Sequence, residues 1–276
     1  LAAGADALFI TNPTSLHLCY STKAARLGRH LFIEKPLSHN LDGVDGFLDV
    51  VDQNHIIALV GYNLRFHPCC CLVKRLIEEQ AIGTLVAARL EIGEYLPGSH
   101  SYEDYRQMYA SRKDQGGGVI LSQIHELDLV YWWFGLPHRV FALGGHWSSL
   151  EIDVEDTASI LMECEYDGRP LPVHLHQDFL QQPASRTIQI VGERGKIYVD
   201  MPAFEVRVVT PEIPDGELHR FEGFERNQMY MDELAHFLAC VEGKEKPVVD
   251  VHQGAQSLRI AMAAHRSIET GSVVDL

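Results

Sequence analysis

Short apolar runs alternate with amphipathic stretches over the first part of the chain. The pattern predicts three strands and two helices, the strands at residues 7–11, 31–34 and 56–62 and the helices at residues 16–27 and 41–54. Strands that alternate with helices through short loops form βαβ units, in which the strands pair in parallel. Residues 1–66 are therefore predicted to be the carboxyl-terminal part of a doubly wound (Rossmann) dinucleotide-binding domain, with residues 1–5 as the end of a helix.

The pattern changes after this unit. A helix over residues 68–80 and a long strand over 85–95 are followed by a polar loop and a strongly apolar helix over 119–134. Six segments with turn residues between them then predict strands near residues 139–147, 158–166, 171–178, 186–191, 195–199 and 205–210. Two more helices are predicted, over residues 226–242 and 252–269.

Consecutive strands without intervening helices form antiparallel sheets. Residues 67–276 are therefore predicted to be an α+β domain for substrate binding and oligomerisation. Its sheet should be open and mainly antiparallel, and helices should cover it. The fold class predicted for the whole chain is α/β plus α+β, a partial parallel domain followed by the larger domain.

Composition narrows the class of partner. The chain has 276 residues and a formal net charge of -15, which disfavours nucleic acid and anionic membrane surfaces as partners. No apolar run is long enough to span a bilayer. The six cysteines lack the CxxC spacing typical of zinc sites, so we predict no metal and reduced thiols in a cytoplasmic protein. A small molecule remains the expected ligand.

The segment from Leu31 to Pro36 is an apolar run that ends in Glu34 and Lys35. A buried parallel strand here delivers both charges to the carboxyl end of the sheet, where open α/β folds bind ligands. Pro36 fixes its own backbone φ and disfavours helical geometry at Lys35, so the lysine lies on an extended edge. A lysine in that position can orient a substrate hydroxyl, and a surface ion pair is the simpler alternative.

A second polar group follows the third predicted strand. Asn63, Arg65 and His67 stand just beyond the strand end, at the same sheet edge as Lys35. An amide, a guanidinium and an imidazole beside a lysine can bind a polyhydroxylated or anionic ligand. The alternative is a helix-capping turn with solvated charges.

Three glycines at residues 116–118 precede the apolar helix, and glycine permits unusual φ angles and close backbone approach. The helix places Ser122, His125 and Asp128 at i, i+3 and i+6, roughly along one face. Asp128 is expected to hold the tautomer of His125, as a carboxylate does for a catalytic imidazole. A purely structural histidine is the alternative.

Four segments occur in a characteristic order along the chain. They are the strand ending in Thr11-Asn12-Pro13 with His17 after it, the Glu34-Lys35-Pro36 motif, the Asn63-x-Arg65-Phe66 segment, and the triple glycine followed by His125-x-x-Asp128. In this order, and with the change of domain after them, the segments resemble the Gfo/Idh/MocA family, the relatives of glucose–fructose oxidoreductase and inositol dehydrogenase. The resemblance covers essentially the whole chain.

The resemblance implies an NAD(P)-dependent oxidoreductase that interconverts a hydroxyl and a ketone on a sugar, a cyclitol or an acidic sugar derivative. It implies that Lys35 orients and polarises the reacting oxygen and that His125 accepts the proton. This agrees with the physical need for a base and a cation near the oxidised hydroxyl. The implied substrate-binding residues include Asn63, Arg65, Ser122 and Asp128. The implied cofactor-binding residues are Thr11, Asn12, Pro13, His17, Glu34 and Lys35.

The chain departs from the family pattern in two ways. Many members have an aspartate in the helical turn before the histidine, where Leu121 or Ser122 stands here. The family's glycine-rich turn and pyrophosphate-binding helix are also expected before residue 1. Residues 1–276 alone are therefore expected to bind NAD or NADP weakly or not at all, since a glycine turn and a helix amino terminus supply the hydrogen-bond donors to the pyrophosphate.

A loop rich in tyrosine and arginine precedes the glycines. Tyr105, Tyr109 and Arg112 are predicted to reach the substrate cleft, where stacking and bidentate contacts suit a sugar with a carboxylate or phosphate. A charged lid or an oligomer contact is the alternative for this loop.

Two other functions remain open at this point. One is a non-catalytic binding or scaffold protein on the same fold, and the other is an NAD-dependent glycosidase. Whichever function applies, the open sheet of roughly residues 139–210 is expected to bury its exposed face in a homodimer or homotetramer.

Overall fold

The computed structural model describes residues 4–99 and 102–276, so part of the helix end predicted at residues 1–5 lies outside it. A three-stranded parallel sheet, in the order β1-β2-β3, forms the first unit. Its elements are β1 (Ala7–Ile10), α1 (Thr14–Arg26), β2 (His30–Glu34), α2 (Val44–Asn54) and β3 (Ala58–Gly61). The predicted parallel βαβαβ unit is confirmed, because each strand pairs in register with the next.

The second unit is built around a nine-stranded sheet. Its helices are α3 (Pro68–Glu78), the short α4 (Leu96–Ser99), α5 (Val119–Ser122), α6 (His125–Phe134), α7 (Arg226–Val241) and α8 (Val251–Thr270). Its strands are β4 (Leu85–Gly93), β5 (Arg139–Gly145), β6 (Thr157–Tyr166), β7 (Arg169–Asp178), β8 (Ser185–Gly192), β9 (Gly195–Asp200), β10 (Glu205–Thr210), β11 (Ile213–Arg220) and β12 (Val274–Asp275).

The strand order of this sheet is β11-β10-β9-β8-β4-β7-β6-β5-β12. Among the pairings of the described residues, β4 runs parallel to β7 and the other neighbours are antiparallel. The prediction of an open, mainly antiparallel sheet is therefore confirmed. β11 and β12 were not predicted, and the sequence of β11 is too polar to show a strand pattern.

The two faces of the large sheet differ in burial. On one face, Ile160 and Val173 are fully buried under helices, as strict alternation along the strands requires. On the other face, Leu143 is 57% exposed and Leu161 is 51% exposed. The open face therefore presents apolar side chains to its surroundings.

The last two helices return to the small sheet. Phe237 of α7 packs edge-on against Phe9 and Phe32, with ring centroids 5.5 Å and 5.6 Å apart. α8 packs against both β3 and β5. The end of the chain thus joins the two sheets and fixes the carboxyl edge of the small sheet relative to the large one.

The predicted single helix over residues 119–134 is wrong, because it is divided into α5 and α6. The carbonyl of Ser122 accepts a hydrogen bond from Lys35, and the carbonyl of Gln123 accepts one from Gln177. These carbonyls therefore do not accept from backbone N–H groups four residues later, and the helical ladder is interrupted. The break matters for function because it lies between Ser122 and His125. Among the described residues, no helix is both long and apolar enough to cross a bilayer.

Candidate active site

A cavity of about 460 Å³ lies at the carboxyl edge of the small sheet, and this volume suits a small ligand. Its walls come from the ends of β2, β4 and β8 and from the segments around α5, α6 and α7. The lining residues with polar or charged side chains are Glu34, Lys35, Asn63, His67, Glu94, Ser122, Gln123, His125, Ser185, Arg186, Arg226 and Tyr230.

Lys35 follows the last residue of β2 and extends toward the helix break. Its Nζ donates a hydrogen bond to the carbonyl oxygen of Ser122 at 2.7 Å. The contact spans 87 residues of sequence and joins the small sheet to the segment that carries His125. Lys35 and His125 therefore line the same cavity, as the sequence predicted.

His125 is the first residue of α6 and is half-buried. Among the described residues, neither ring nitrogen has a hydrogen-bond partner, and Nδ1 is buried. Burial lowers the pKa of His125 well below its usual 6.5, and the nearby charges of Lys35, Arg186 and Arg226 lower it further. The imidazole is therefore neutral at pH 7 and able to accept a proton.

Arg65 and Asp128 do not line this cavity, contrary to the sequence prediction. Nε and Nη2 of Arg65 donate to both carboxylate oxygens of Asp128, at 2.9 Å and 2.8 Å, and both residues are buried. Ser257 donates a further hydrogen bond to Asp128 at 3.0 Å. Because these donors occupy the carboxylate, Asp128 does not hold the tautomer of His125. The pair instead joins the 3-10 turn of residues 63–66 to α6 and α8.

The loop residues Tyr105, Tyr109 and Arg112 also lie outside the cavity lining, which corrects the predicted placement. The hydroxyl of Tyr105 accepts a hydrogen bond from the backbone of Glu151, and Arg112 forms an exposed ion pair with Asp114. The Tyr105 contact joins the loop to the segment around residue 151, whereas the Arg112 pair lies within the loop itself.

Asn63 and His67 do line the cavity, although Arg65 between them in the sequence does not. His67 caps α3, with Nδ1 accepting from the backbone of Cys69 at 3.2 Å. Burial and the charge of Arg186 lower the pKa of His67 to about 4. His67 is therefore a second neutral imidazole at the cavity, but its Nδ1 is already engaged.

The glycine turn allows close packing. A Cβ on Gly117 would overlap the backbone carbonyl oxygens of Tyr109 and Ala110, and Gly118 has a φ of +104°. Glu155 then accepts a hydrogen bond from the backbone of Ile120 at 3.1 Å. Only glycine permits the close contact of residue 117 with the carbonyl oxygens of Tyr109 and Ala110. This packing brings the start of α5, and hence Ser122, to the cavity.

The carboxyl ends of β1 and β2 form a polar edge beside the cavity. Ile10 and Ile33 are paired, so Thr11 and Asn12 stand next to Glu34. Thr11 and Asn12 are exposed, and within the described chain their side chains have no hydrogen-bond partner. A hydroxyl, an amide and a carboxylate match the hydrogen-bonding groups of a nicotinamide carboxamide and its ribose, so the edge fits that end of NAD(P).

His17 lies below this edge, between two backbone carbonyls. Its Nδ1 is 2.7 Å from the oxygen of Pro36, and its Nε2 is 2.7 Å from the oxygen of Asn12. The ring is almost fully buried, so it supports the two loops rather than facing a ligand. Pro13 is the N-cap residue of α1 and is half-buried.

Three charged residues of the site were not identified from the sequence. Arg186 lies in β8 of the large sheet, Glu94 directly follows β4, and Arg226 begins α7. Each is far along the chain from the motifs, and an isolated arginine or glutamate carries no local pattern that marks it. Among the described residues, no cluster of histidine, cysteine and carboxylate side chains could hold a metal ion.

Comparison with known proteins places these observations in context. The family described as "Oxidoreductase family, C-terminal alpha/beta domain" (GFO_IDH_MocA_C) matches residues 74–276. Myo-inositol 2-dehydrogenase from Thermotoga maritima is 28% identical over 279 residues, which cover 98% of this chain and 80% of that protein. The scyllo-inositol 2-dehydrogenase (NAD(+)) of Bacillus subtilis is 26% identical over 287 residues, covering 99% and 78%.

The fold is shared with solved structures. A levoglucosan dehydrogenase in complex with NADH and levoglucosan superposes with a TM-score of 0.85 at 21% identity, covering 98% of this chain and 80% of that one. At this level of identity the likeness shows the architecture alone.

Proposed function

The chain belongs to the Gfo/Idh/MocA oxidoreductase family, and from that premise we propose that it is an NAD(P)-dependent dehydrogenase of a sugar or cyclitol. The reaction would interconvert a secondary hydroxyl and a ketone. Curated relatives that match almost the whole chain are inositol dehydrogenases, which supports the reaction class. The observation that carries the proposal is the neutral imidazole of His125 beside the cation of Lys35 in one cavity.

Oxidation of an alcohol requires the loss of the hydroxyl proton and stabilisation of the charge that develops on oxygen. His125 has an unpaired ring in the cavity wall and accepts that proton. Lys35, held by the carbonyl of Ser122, places its ammonium group in the same wall and stabilises the oxygen as the proton leaves.

Asn63 and Ser122 are proposed to bind further substrate hydroxyls. Ser122 has a buried Oγ without a hydrogen-bond partner among the described residues, and Asn63 lines the same cavity. A hydroxyl and an amide each donate and accept, as polyol recognition requires. Arg65 and Asp128 have a supporting role, because their pairing anchors the turn that carries Asn63.

The cofactor would lie along the polar edge formed by Thr11, Asn12 and Glu34. A bound nicotinamide supplies the hydride acceptor for the oxidation. His17 keeps the loops of this edge in place by its contacts with the backbone of Asn12 and Pro36.

The test is a steady-state assay of the full-length protein, including any residues that precede residue 1, with NAD and with NADP. Reduced nicotinamide is followed across a panel of inositols, aldoses and uronates. The variants Lys35→Met and His125→Asn should each lower kcat with the best substrate by about 100-fold or more, since general acid–base catalysis contributes factors of that size. Cofactor reduction by His125→Asn at the wild-type rate would contradict the proposal.

A matched control is His252→Asn. His252 is on the surface, where it contacts Asp52, and it does not line the cavity. Its replacement should leave kcat and KM unchanged. If wild-type protein binds polyols in calorimetry but reduces neither cofactor with any substrate, the non-catalytic binding function replaces the enzyme.

A further inference from the structure

Two arginines, Arg186 of β8 and Arg226 at the start of α7, line the cavity and have unused hydrogen-bond donors. Nε of Arg186 donates to Glu126 at 2.6 Å. Its terminal nitrogens form no hydrogen bond within the described chain, and Nη2 is buried. Arg226 lies at the rim and has no ion pair or hydrogen bond from its side chain to the described residues.

The contact with Glu126 determines the orientation of Arg186. Glu126 is 1% exposed and has its second carboxylate oxygen unpartnered among the described residues, so it fixes the guanidinium through Nε alone. A guanidinium held at Nε still presents its two terminal nitrogens as a planar fork. That fork matches the geometry of a carboxylate, which accepts two parallel hydrogen bonds.

The concentration of cations is unusual for this chain. The net charge of the protein is -15, yet Lys35, Arg186 and Arg226 all line one cavity. Two carboxylates, Glu34 and Glu94, are also present in the lining. All three cations act on His125: after burial, their charges are the causes that lower its pKa. An anionic group beside His125 would therefore be attracted by three positive charges.

We propose that the substrate carries a carboxylate, and that Arg186 and Arg226 bind it while Lys35 and His125 face the hydroxyl that is oxidised. The substrate class is then a sugar acid, a uronate or an aldonate. This inference rests on the proposed dehydrogenase function and specifies its substrate. Glu94 and Asn63 remain available for the neutral hydroxyls of such a molecule.

The test compares matched charged and neutral ligands by calorimetric titration of the full chain. The charged probes are D-glucuronate and D-galacturonate, and the neutral probes are their methyl esters and the parent aldoses. The acids should bind about 10- to 100-fold more tightly, since hydrogen bonds to charged groups contribute on that scale. The difference should shrink as salt concentration rises.

Variants assign the effect to the arginines. Arg226→Gln should bring the ratio of acid to ester affinity toward one. For Arg186, the double variant Arg186→Gln/Glu126→Gln avoids leaving a buried carboxylate unpaired, and it should lower the same ratio. Arg266→Gln is the control, because Arg266 is exposed on α8 and does not line the cavity, and it should leave the ratio unchanged.

The outcomes separate this inference from the proposed function. Equal affinity for acids and esters, or a ratio that Arg226→Gln and the double variant leave unchanged, overturns carboxylate recognition even if neutral polyols are oxidised. Preferential binding of the acids without reduction of NAD or NADP supports carboxylate recognition and contradicts the dehydrogenase. Oxidation of the acids with a higher kcat/KM than their esters supports both.

Discussion

The buried pair of Arg65 and Asp128 is predicted to stabilise the fold rather than bind substrate. The perturbation is Arg65→Met, which leaves the Asp128 carboxylate with the Ser257 hydroxyl as its remaining side-chain partner. Arg65 is 4% exposed and Asp128 is 1% exposed, so solvent does not replace the lost donors. Removing one member of such a pair costs about 3–5 kcal/mol in the free energy of unfolding.

Arg65 also has two other partners that the substitution removes. Its Nη1 donates to the carbonyl of Val248 at 3.1 Å and to the side chain of Gln253 at 2.6 Å. The guanidinium therefore joins turn 63–66 to the segment that leads into α8. Arg65→Met/Asp128→Leu should be less destabilised than the sum of the two single variants, because it leaves no unpaired buried charge.

The assay is urea unfolding followed by circular dichroism, together with KM of the single variant. Arg259→Met is the control, since Arg259 pairs with the exposed Asp45 and should cost less than about 1 kcal/mol. If Arg65→Met unfolds at the wild-type urea concentration and raises KM for the substrate, Arg65 contacts substrate and the structural interpretation is wrong.

Other predictions concern stability and assembly. Burial, with the charges of Glu34 and Asp128, raises the pKa of Glu233 from 4.5 to about 8. The free energy of unfolding should therefore fall as pH rises through that range, and Glu233→Gln should flatten this dependence in urea titrations. Gly117→Ala should lower the melting temperature because its Cβ overlaps backbone, whereas Gly46→Ala in α2 meets no atom within 4 Å and should raise it slightly. We propose that the open sheet face is a subunit interface, so light scattering should find an oligomer that Leu161→Glu dissociates; a wild-type monomer at micromolar concentration would refute this.

The fold could be predicted because its signals are local. Strand and helix patterns around residues 7–62 and 157–210 are determined by alternation and turns, and both predicted sheets are present. The helix break after Ser122 could not be predicted in this way. It depends on Lys35 and Gln177, which reach the carbonyls of that segment from elsewhere in the chain.

The cavity-lining residues that could be predicted are those in a motif at a strand end or after the glycine turn. Lys35, Asn63, Ser122 and His125 line it as expected. Arg65 was placed wrongly because sequence position at a strand end does not show whether a side chain turns to the ligand or to a buried partner.

The residues that the sequence analysis missed come from the large sheet and α7. Arg186 and Arg226 meet the motif residues only through tertiary packing. Their proximity to the motif residues depends on how α7 and α8 join the two sheets, and the sequence of a short segment does not show it.

The pH dependence of kcat/KM for alcohol oxidation tests the role of His125 most directly, because that profile reports the groups of the free enzyme. The neutral imidazole is the proton acceptor, and its pKa lies well below 6.5 because of burial and nearby cations. Activity should therefore stay level as pH falls to about 6.5 and decline only in more acidic solution, and the residual activity of His125→Asn should lack this decline. A half-maximal rate at pH 6.5 or above, or the same acidic decline in His125→Asn, would contradict the assignment of His125 as the base.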